Sequence, residues 1–586
     1  MRNVSSEGTN NMLETILGVH DGHNAAAALL RRGRVIAAVQ EERLTRQKNQ
    51  GGIPYRSIDD VCALAGIAPG SVDRVALDGS YMTYDHWDRD GLSTRYKESG
   101  ARTEHIKQYL KNTFVDDIYR GRKAEKRARE FSKIGFENGH LAPVDHHTAH
   151  AAAAYYGAGW KGKVLVLTCD GSGDRLSASI SIGENGKLTR IASIPDNDSI
   201  GRVYSMVTHQ MGMMPLEHEY KVMGLAPYVG DPTKARKQAA IFSNLFEFDS
   251  KNPLVWRRRE GVPPMYSAYG LMDKLLYRQR FDLVACGLQQ FVEDMLKQWV
   301  RNCVRETGIH RIACSGGVFM NVKANKEILE LPEVEELFVF PSCGDETNSV
   351  GAAYWLYAQE CLKSNRPVDI EPIGHIYWGD SFNDQQAETA LKEGNRESRL
   401  RYEYVQDIEQ LVAQMLAKGE VVARAKGNME FGARALGNRS ILAKPDSMEA
   451  VRLINDMIKC RDFWMPFAPA VLAERADDYY IKPKPMSAPY MIIAFDSRPE
   501  ARHKFMAGQH PYDFSVRPQE VTESWNPDYY RLIKYYEEIT GEGIILNTSF
   551  NLHGFPLVYQ PEDAIRVLDR SGLRFLALGN WWVWKE

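Results

Sequence analysis

The sequence predicts an α/β protein of two domains, the first of which contains an internal duplication. Its 586 residues exceed the size at which one hydrophobic core keeps growing. Two segments, 16–42 and 164–194, each contain a β-rich run, a polar glycine-containing turn and a hairpin. Residues 363–384 carry Pro, Gly and Asp without helical periodicity, so we expect the domain boundary there.

The two repeated segments predict the fold of the first domain. Arg31 to Arg34 form the hairpin turn of the first copy, and Glu184 to Gly186 form that of the second. Paired units of this kind begin each half of actin-like ATPase (ASKHA) folds, whose turns grip nucleotide phosphates through backbone N–H groups. We therefore expect a disordered tail over 1–12, an actin-like domain over 13–370 and a second α/β domain over 380–586.

The composition favours a cytoplasmic enzyme over a nucleic-acid or membrane protein. A net charge of −3 provides no basic field for phosphate backbones, and we expect the basic run 120–129 to be a solvated helix face. No stretch of eighteen apolar residues occurs, so no membrane span is expected. The eight cysteines form no CxxC pair, which is typical of reduced thiols. Nothing in the sequence predicts the oligomeric state.

Two histidines and two aspartates form a candidate metal site. His146 and His150 lie one turn apart on a predicted helix, and Asp170 and Asp345 follow predicted strands. Such a mixed nitrogen and oxygen donor set suits Fe, Mn or Zn rather than a thiolate site. A structural histidine pair and a turn-capping Asp170 are the alternatives.

Small-residue turns form a second set of candidates. Ser315 to Val318 follow a strand and precede a helical pattern, where adjacent glycines allow a phosphate or ribose to approach the backbone. Ser199 to Gly201 and Lys221 to Gly224 are similar turns. Each of them is alternatively a simple tight turn.

Cationic residues mark the second domain. Arginine binds phosphate oxygens bidentately and lysine adds a point charge, so several of them in one α/β domain predict a polyanionic ligand such as ATP with an acyl phosphate. Surface ion pairs are the alternative for any single arginine. Asn547, Ser549 and Asn551 either contact phosphate or ribose or cap a turn. The cationic candidates are Arg434, Arg439, Lys459, Arg461 and Arg517.

Motifs spread along the chain resemble those of one enzyme family. They are, in chain order, HHTAHAAAAYY, CDGSGD, VMGLAPYVG, SGGVFMN, GARALGNRS, WMPFAP, VRPQ and LNTSFN. As a set they are similar to the motifs of the NodU/CmcH carbamoyltransferases, from about Leu13 to the end of the chain.

The resemblance implies a reaction in two stages. A YrdC-like second domain makes carbamoyl-adenylate from carbamoyl phosphate and ATP, and the actin-like first domain passes the carbamoyl group to a hydroxyl of a small-molecule acceptor. Fe(2+) or another divalent metal is the implied cofactor, and Mg(2+) would accompany ATP. The acceptor itself is not predicted, and we expect the polar insertion over residues 80–140 to shape its pocket.

The resemblance also assigns residues. The metal ligands fall on His146, His150, Asp170 and Asp345, and the catalytic pair falls on His23 and Lys48. Adenylate contacts fall on Gly171, Ile200, Gly201, Gly316, Gly317, Val318, Phe319 and Asn321. Contacts to ATP and carbamoyl phosphate fall on Arg434, Lys459, Arg517, Asn547 and Ser549, to which the cation pattern adds Arg439 and Arg461.

Two questions stay open at the level of sequence. His23 is either the base that takes the acceptor's proton or a donor to the carbamoyl carbonyl. Met465 stands where another family member has an arginine, so Lys459 or Arg461 would have to supply that phosphate contact. Competing functions are a threonylcarbamoyl-adenylate-type tRNA-modifying enzyme, an actin-like small-molecule kinase and a nucleotide-gated binding protein.

Overall fold

The computed structural model describes residues 14–81, 116–394, 400–459, 462 and 464–585. The predicted tail, residues 82–115 of the polar insertion, and Arg461 lie outside the described residues. No helix within the described ranges is both long enough and apolar enough to cross a membrane.

The first sheet begins with a hairpin built from the first repeated segment. Its order is β3-β2-β1-β4-β5, in which β1 is antiparallel to β2 and parallel to β4. The strands are β1 (Thr15–His20), β2 (Ala26–Arg31), β3 (Arg34–Gln40), β4 (Arg74–Asp78) and β5 (Leu141–Val144).

The second sheet repeats this arrangement. Its order is β12-β11-β6-β7-β8, with β6 antiparallel to β7 and parallel to β11. A two-stranded ribbon, β9 (Phe246–Phe248) with β10 (Trp256–Arg258), interrupts the chain order. The same order and directions occur in both sheets, so the predicted actin-like duplication is confirmed. The sheet strands are β6 (Val164–Gly173), β7 (Leu176–Glu184), β8 (Lys187–Pro195), β11 (Arg311–Ser315) and β12 (Glu336–Val339).

Helices cover both sheets of the first domain. α4 and α11 pack against each other so closely that a Cβ at Gly351 would lie 2.0 Å from the Ala149 carbonyl oxygen. The helices are α1 (Glu41–Thr45), α2 (Tyr55–Leu64), α3 (Asp116–Lys133), α4 (His146–Ala158), α5 (Ile200–Gln210), α6 (Glu219–Leu225), α7 (Pro232–Ser243), α8 (Tyr269–Leu276), α9 (Phe281–Thr307), α10 (Val322–Leu329) and α11 (Asn348–Lys363).

The second domain is built on a mixed sheet of the order β13-β23-β22-β14-β15-β21-β16-β20. This confirms the predicted α/β class, while the YrdC-like assignment stays a prediction. Its strands are β13 (Leu400–Tyr404), β14 (Val422–Ala425), β15 (Arg439–Ala443), β16 (Ala468–Leu472), β20 (Gln519–Val521), β21 (Ile544–Ser549), β22 (Phe575–Leu578) and β23 (Trp581–Lys585).

A small sheet and six α-helices complete the described part of this domain. The small sheet contains β17 (Tyr480–Ile481), β18 (Phe495–Ser497) and β19 (Ser515–Val516). The helices are α12 (Asp384–Gly394), α13 (Ile408–Ala417), α14 (Met448–Ile454), α15 (Ala476–Tyr479), α16 (Pro527–Thr540) and α17 (Pro561–Arg570).

The two domains share a packed boundary. Asn325 of α10 donates to the Ile492 carbonyl at 2.8 Å, and Lys326 Nζ lies 2.6 Å from Asp496 Oδ1. Phe495 and Phe505 are fully buried in the same apolar cluster as the first domain's β11. Because these contacts surround the edge where β6 and β11 end, they bring second-domain residues to the predicted phosphate turns.

Candidate active site

Helix α4 carries the histidine pair. Its alanine-rich sequence favours a helix, and the Asp145 side chain caps its start by accepting from the Thr148 amide. The His146 and His150 rings therefore lie side by side, with ring centroids 4.8 Å apart. His147 points away from the pair and hydrogen-bonds Thr168 Oγ1 at 2.8 Å.

The structure brings the four predicted metal ligands together. One donor atom from each of His146, His150, Asp170 and Asp345 lies within 4.8 Å of the others. His146 Nε2 lies 3.3 Å from Asp170 Oδ2, and His150 Nε2 lies 3.4 Å from Asp345 Oδ1. Three separate elements contribute: α4, the end of β6 and the turn after β12.

The donor set fits a divalent cation. The buried His150 Nε2 faces carboxylate oxygens of Asp345 and Asp170 at 3.4 and 4.0 Å, while His150 Nδ1 lies 3.1 Å from Ser315 Oγ. His146 Nδ1 lies 3.1 Å from Asp78 Oδ2, which leaves its Nε2 directed to the aspartates. Metal-binding histidines commonly have their second nitrogen fixed in this way, and two imidazoles with two carboxylates suit a metal such as Fe(2+), Mn(2+) or Zn(2+).

Asp78 and His20 are site residues that the sequence reasoning missed. Asp78, the last residue of β4, accepts from His20 Nδ1 at 2.6 Å as well as facing His146. Although burial opposes ionisation, the two neighbouring imidazoles hold the pKa of Asp78 below its ordinary value. The available signal was the strand-ending aspartate in VALDG, which has the same form as Asp170 in VLTCDG.

His23 lies beside the four-residue cluster. Its Nδ1 is 3.2 Å from Asp345 Oδ2, whereas Asp345 Oδ1 faces His146 and His150. Burial would lower the pKa of His23, but the hydrogen bond and charge of Asp345 raise it above its ordinary value. Asp345 therefore divides its two oxygens between the candidate metal ligands and His23.

A cavity of about 1150 Å³ contains most of the predicted site. It is continuous from the four candidate metal ligands, called the His–Asp cluster below, to the cations of the second domain. The predicted residues that line it are His23, Lys48, His146, Asp170, Gly171, Ile200, Gly201, Gly317, Val318, Asn321, Asp345, Arg434, Lys459, Arg517 and Ser549.

Turns of the first domain lie against the strand that carries Asp170. The Gly317 amide donates to Asp170 Oδ1 at 3.1 Å, and a Cβ at Gly201 would lie 2.8 Å from the Asp170 carbonyl oxygen. Gly316 has a φ of +108°, and a Cβ there would lie 2.3 Å from the Cys169 carbonyl oxygen. Glycine is therefore required at Gly201 and Gly316 for these close approaches. Gly316 and the buried Phe319, both predicted to contact the adenylate, do not line the cavity.

The second domain supplies the cationic wall. Lys459 Nζ lies 3.0 Å from Ser549 Oγ and 2.7 Å from Asn551 Oδ1. The amide of Ala433, the residue before Arg434, donates to Ser342 Oγ at 2.7 Å, and Arg434 lines the same cavity as Asp345. Met465 also lines this wall, next to Gly224, so an apolar side chain occupies the position of the expected arginine.

Two predicted phosphate contacts are wrong for a structural reason. Arg439 is fully buried, and its guanidinium donates to the carbonyl oxygens of Gly427 and Tyr559 at 2.9 and 3.2 Å. Asn547 is buried away from the cavity and donates to the Ala435 carbonyl. Asn547 thereby holds the loop that presents Arg434, whereas Arg439 joins the segment at Gly427 to that at Tyr559, and neither side chain lines the cavity. The sequence pattern did not separate Arg439 from Arg434, because the buried arginine and the cavity-lining arginine stand in the same motif, GARALGNRS.

The expectation that the basic run 120–129, which lies on α3, is a solvated helix face is also wrong in part. Arg127 is 2% exposed and its Nε lies 2.7 Å from Asp21 Oδ2. Arg120 lines the cavity and lies over the Tyr81 ring at 4.7 Å. The helix is therefore docked on the first domain beside the active site, and it is not a wholly solvated face.

A duplicated actin-like fold and a second α/β domain thus share one charged cavity. Residues 15–354 match the family described as Carbamoyltransferase N-terminus, and residues 413–585 match Carbamoyltransferase C-terminus. The chain therefore belongs to the NodU/CmcH family of carbamoyltransferases, as its motifs predicted, and it is an enzyme.

Related proteins span nearly the whole chain. An uncharacterized protein of Methanocaldococcus jannaschii is 31% identical over 580 residues, which cover 97% of this chain and 99% of that protein. Nodulation protein NolNO of Sinorhizobium fredii is 31% identical over 569 residues, covering 96% and 79%. The 3'-hydroxymethylcephem-O-carbamoyltransferase of Streptomyces clavuligerus is 27% identical over 269 residues, covering 46% and 47%.

Solved structures show only a distant similarity. Full-length HypF in its phosphate- and nucleotide-bound form is 15% identical, covers 61% of this chain and 56% of that chain, and gives a TM-score of 0.33. This score is too low to carry a functional argument, and the actin-like assignment rests on the strand order of the two sheets.

Proposed function

We propose that this enzyme is an ATP-dependent O-carbamoyltransferase that works through carbamoyl-adenylate and acts on the hydroxyl of a small-molecule acceptor. The observation that carries the proposal is the single cavity, which joins the His–Asp cluster of one domain to Arg434, Lys459 and Arg517 of the other. The Streptomyces relative, named as an O-carbamoyltransferase, supports a hydroxyl as the acceptor group.

The second-domain cations serve the activation step. Carbamoyl phosphate and water give carbamate and phosphate, and a carbamate oxygen then attacks the α-phosphorus of ATP to release pyrophosphate. The product, carbamoyl-adenylate, carries AMP as a leaving group. Arg434, Lys459 and Arg517 bind the phosphate oxygens and offset the negative charge that builds up in this displacement. Ser549 and Asn551 fix Lys459 Nζ for this task.

The first domain serves the transfer step. His146, His150, Asp170 and Asp345 would hold the divalent metal, whose charge offsets that of the adenylate phosphate. The Asp345 carboxylate accepts the Nδ1 proton of His23, so the lone pair lies on Nε2 in the fraction of molecules whose ring is neutral. The raised pKa of His23 makes that nitrogen a stronger base. His23 then takes the proton of the acceptor hydroxyl. The oxygen of that hydroxyl attacks the carbamoyl carbon, and AMP leaves. This geometry favours His23 as base over His23 as a carbonyl donor.

The products formed from ATP test this proposal. Incubation with ATP, carbamoyl phosphate and Fe(2+) or Mn(2+) is expected to yield AMP and pyrophosphate in equal amounts, resolved by anion-exchange chromatography. Neither product should form when carbamoyl phosphate is omitted. ADP as the nucleotide product would indicate a kinase, and turnover of ATP without carbamoyl phosphate would contradict the activation step.

A further inference from the structure

A ring of hydrogen bonds, each buried or part-buried, crosses the domain boundary beside the cavity. The Gly432 amide donates to Gln40 Oε1 at 3.1 Å, and Gln40 Nε2 donates to Asn24 Oδ1 at 2.8 Å. Asn24 Nδ2 donates to Glu346 Oε2 at 2.8 Å. Ser342 Oγ donates to Glu346 Oε1 and accepts from the Ala433 amide at 2.7 Å, which closes the ring.

Every donor in this interdomain ring has an acceptor. The single proton of the Ser342 hydroxyl goes to Glu346, so its oxygen is free to accept from the Ala433 amide. Gln40 Oε1 also accepts from Arg43 Nη2 at 2.9 Å, and Arg43 Nη2 reaches the Gly432 carbonyl at 2.7 Å. Three backbone groups from two consecutive second-domain peptide units, the Gly432 amide and carbonyl and the Ala433 amide, are thus held by first-domain side chains, which are 2–3% exposed.

The backbone at Gly432 is specialised for this contact. Its φ is +95°, and a Cβ there would lie 2.3 Å from Ser342 Cβ. Only glycine allows the second-domain loop to approach Ser342 closely enough for the adjacent Ala433 amide to donate. A largely buried network of this kind favours one geometry, because a shift would leave several of its polar groups unpaired.

The ring members adjoin the proposed functional residues in sequence. Asn24 follows His23, Glu346 follows Asp345, and Ala433 precedes Arg434. The same ring therefore joins the loop that carries the transfer base, the turn that carries a candidate metal ligand and the loop that carries a phosphate-binding arginine. None of the ring side chains themselves needs to touch substrate for this purpose.

We propose that Gln40 and Ser342 are positioning residues that lock Arg434 of the second domain against His23 and Asp345, so that carbamoyl-adenylate stays in the cavity between the two steps. The inference rests on the proposed function. An opened boundary admits water, which attacks the carbamoyl carbon and yields carbamate and AMP. The consequence of weakening the ring is then futile consumption of ATP, with the activation chemistry preserved.

Rapid-quench pyrophosphate measurements with ATP and carbamoyl phosphate, and no acceptor, test this role. The wild type is expected to release about one pyrophosphate per chain in a burst and then turn over slowly. Ser342→Ala should keep the burst and raise the later rate about tenfold, since it leaves the Ala433 amide and Glu346 short of a partner. Gln40→Glu, which keeps the acceptors for Gly432 and Arg43 but loses the donor to Asn24, should act in the same direction.

Ser57→Ala is the matched control. Ser57 is also a buried serine that donates to a buried carboxylate, Glu41 Oε2 at 2.8 Å, but it lies within the first domain. Its burst and later rate should equal those of the wild type. The ring's role alone would be overturned if Ser342→Ala and Gln40→Glu had the later rate of the wild type. It would also be overturned if the pyrophosphate burst and the later rate of these variants fell by the same factor. Absence of pyrophosphate from the wild type would overturn the proposed function and the ring's role with it.

Discussion

Replacement of Arg517 by alanine is expected to slow pyrophosphate release by a factor of about 10²–10³, the range found when one charge-stabilising group is removed from an active site. Arg517 follows β19 and faces the cavity from the second domain, on the wall that also contains Arg434 and Lys459. Its loss removes positive charge from the phosphates at the stage when carbamate displaces pyrophosphate. The measurement is single-turnover pyrophosphate release with ATP and carbamoyl phosphate.

Arg531→Ala controls for the loss of any arginine from this domain. Arg531 lies on α16, 47% exposed at its side chain, and pairs with Asp528 at 2.8 Å. It does not line the cavity, so its substitution should leave the rate within about twofold, as expected for an exposed ion pair. A normal rate of pyrophosphate release in Arg517→Ala would show that adenylate formation does not occur at the second-domain cations.

His23→Ala is expected to separate the two steps in the opposite way. Pyrophosphate release should persist, because the second-domain cations are intact. Carbamoyl transfer should fall by about 10²–10⁴, the usual contribution of a general base. The readout is carbamoylated product by mass spectrometry, with whichever acceptor a screen of hydroxyl compounds provides.

His23→Asn distinguishes a base from a residue that only orients Asp345. The asparagine amide can still donate to Asp345 Oδ2 in place of Nδ1, but it offers no nitrogen lone pair to the acceptor. Both variants should therefore lose transfer. Recovery of transfer in His23→Asn would indicate that His23 acts by holding Asp345, and loss of pyrophosphate release in either variant would contradict the division into two sites.

The actin-like duplication could be predicted from sequence because each copy encodes it locally. A polar turn between alternating apolar runs specifies a hairpin, as at Asn185-Gly186, where both residues adopt positive φ. The helical spacing of His146 and His150 likewise fixed their common face. Strand-end positions then predicted that Asp170 and Asp345 would meet them, which the geometry reproduces.

Contacts between distant segments could not be predicted in the same way. The strand-ending position of Asp78 is visible in the sequence, but its place beside His20 and His146 depends on the pairing of β4 with β1. The interdomain ring needs the two domains to be docked, since no periodicity relates Gln40 to Gly432. Arg439 and Arg434 stand in one motif, and only the packing shows that the first bonds carbonyl oxygens while the second lines the cavity.

Metal content tests the central claim most directly, namely that two imidazoles and two carboxylates far apart in the chain form one cation site. After anaerobic loading with Fe(2+) and desalting, inductively coupled plasma mass spectrometry should find one metal per wild-type chain. His150→Ala and Asp345→Asn should retain almost none. His147→Ala, which removes the neighbouring histidine that faces Thr168, should retain the wild-type amount. Equal metal in His150→Ala and the wild type would contradict the account.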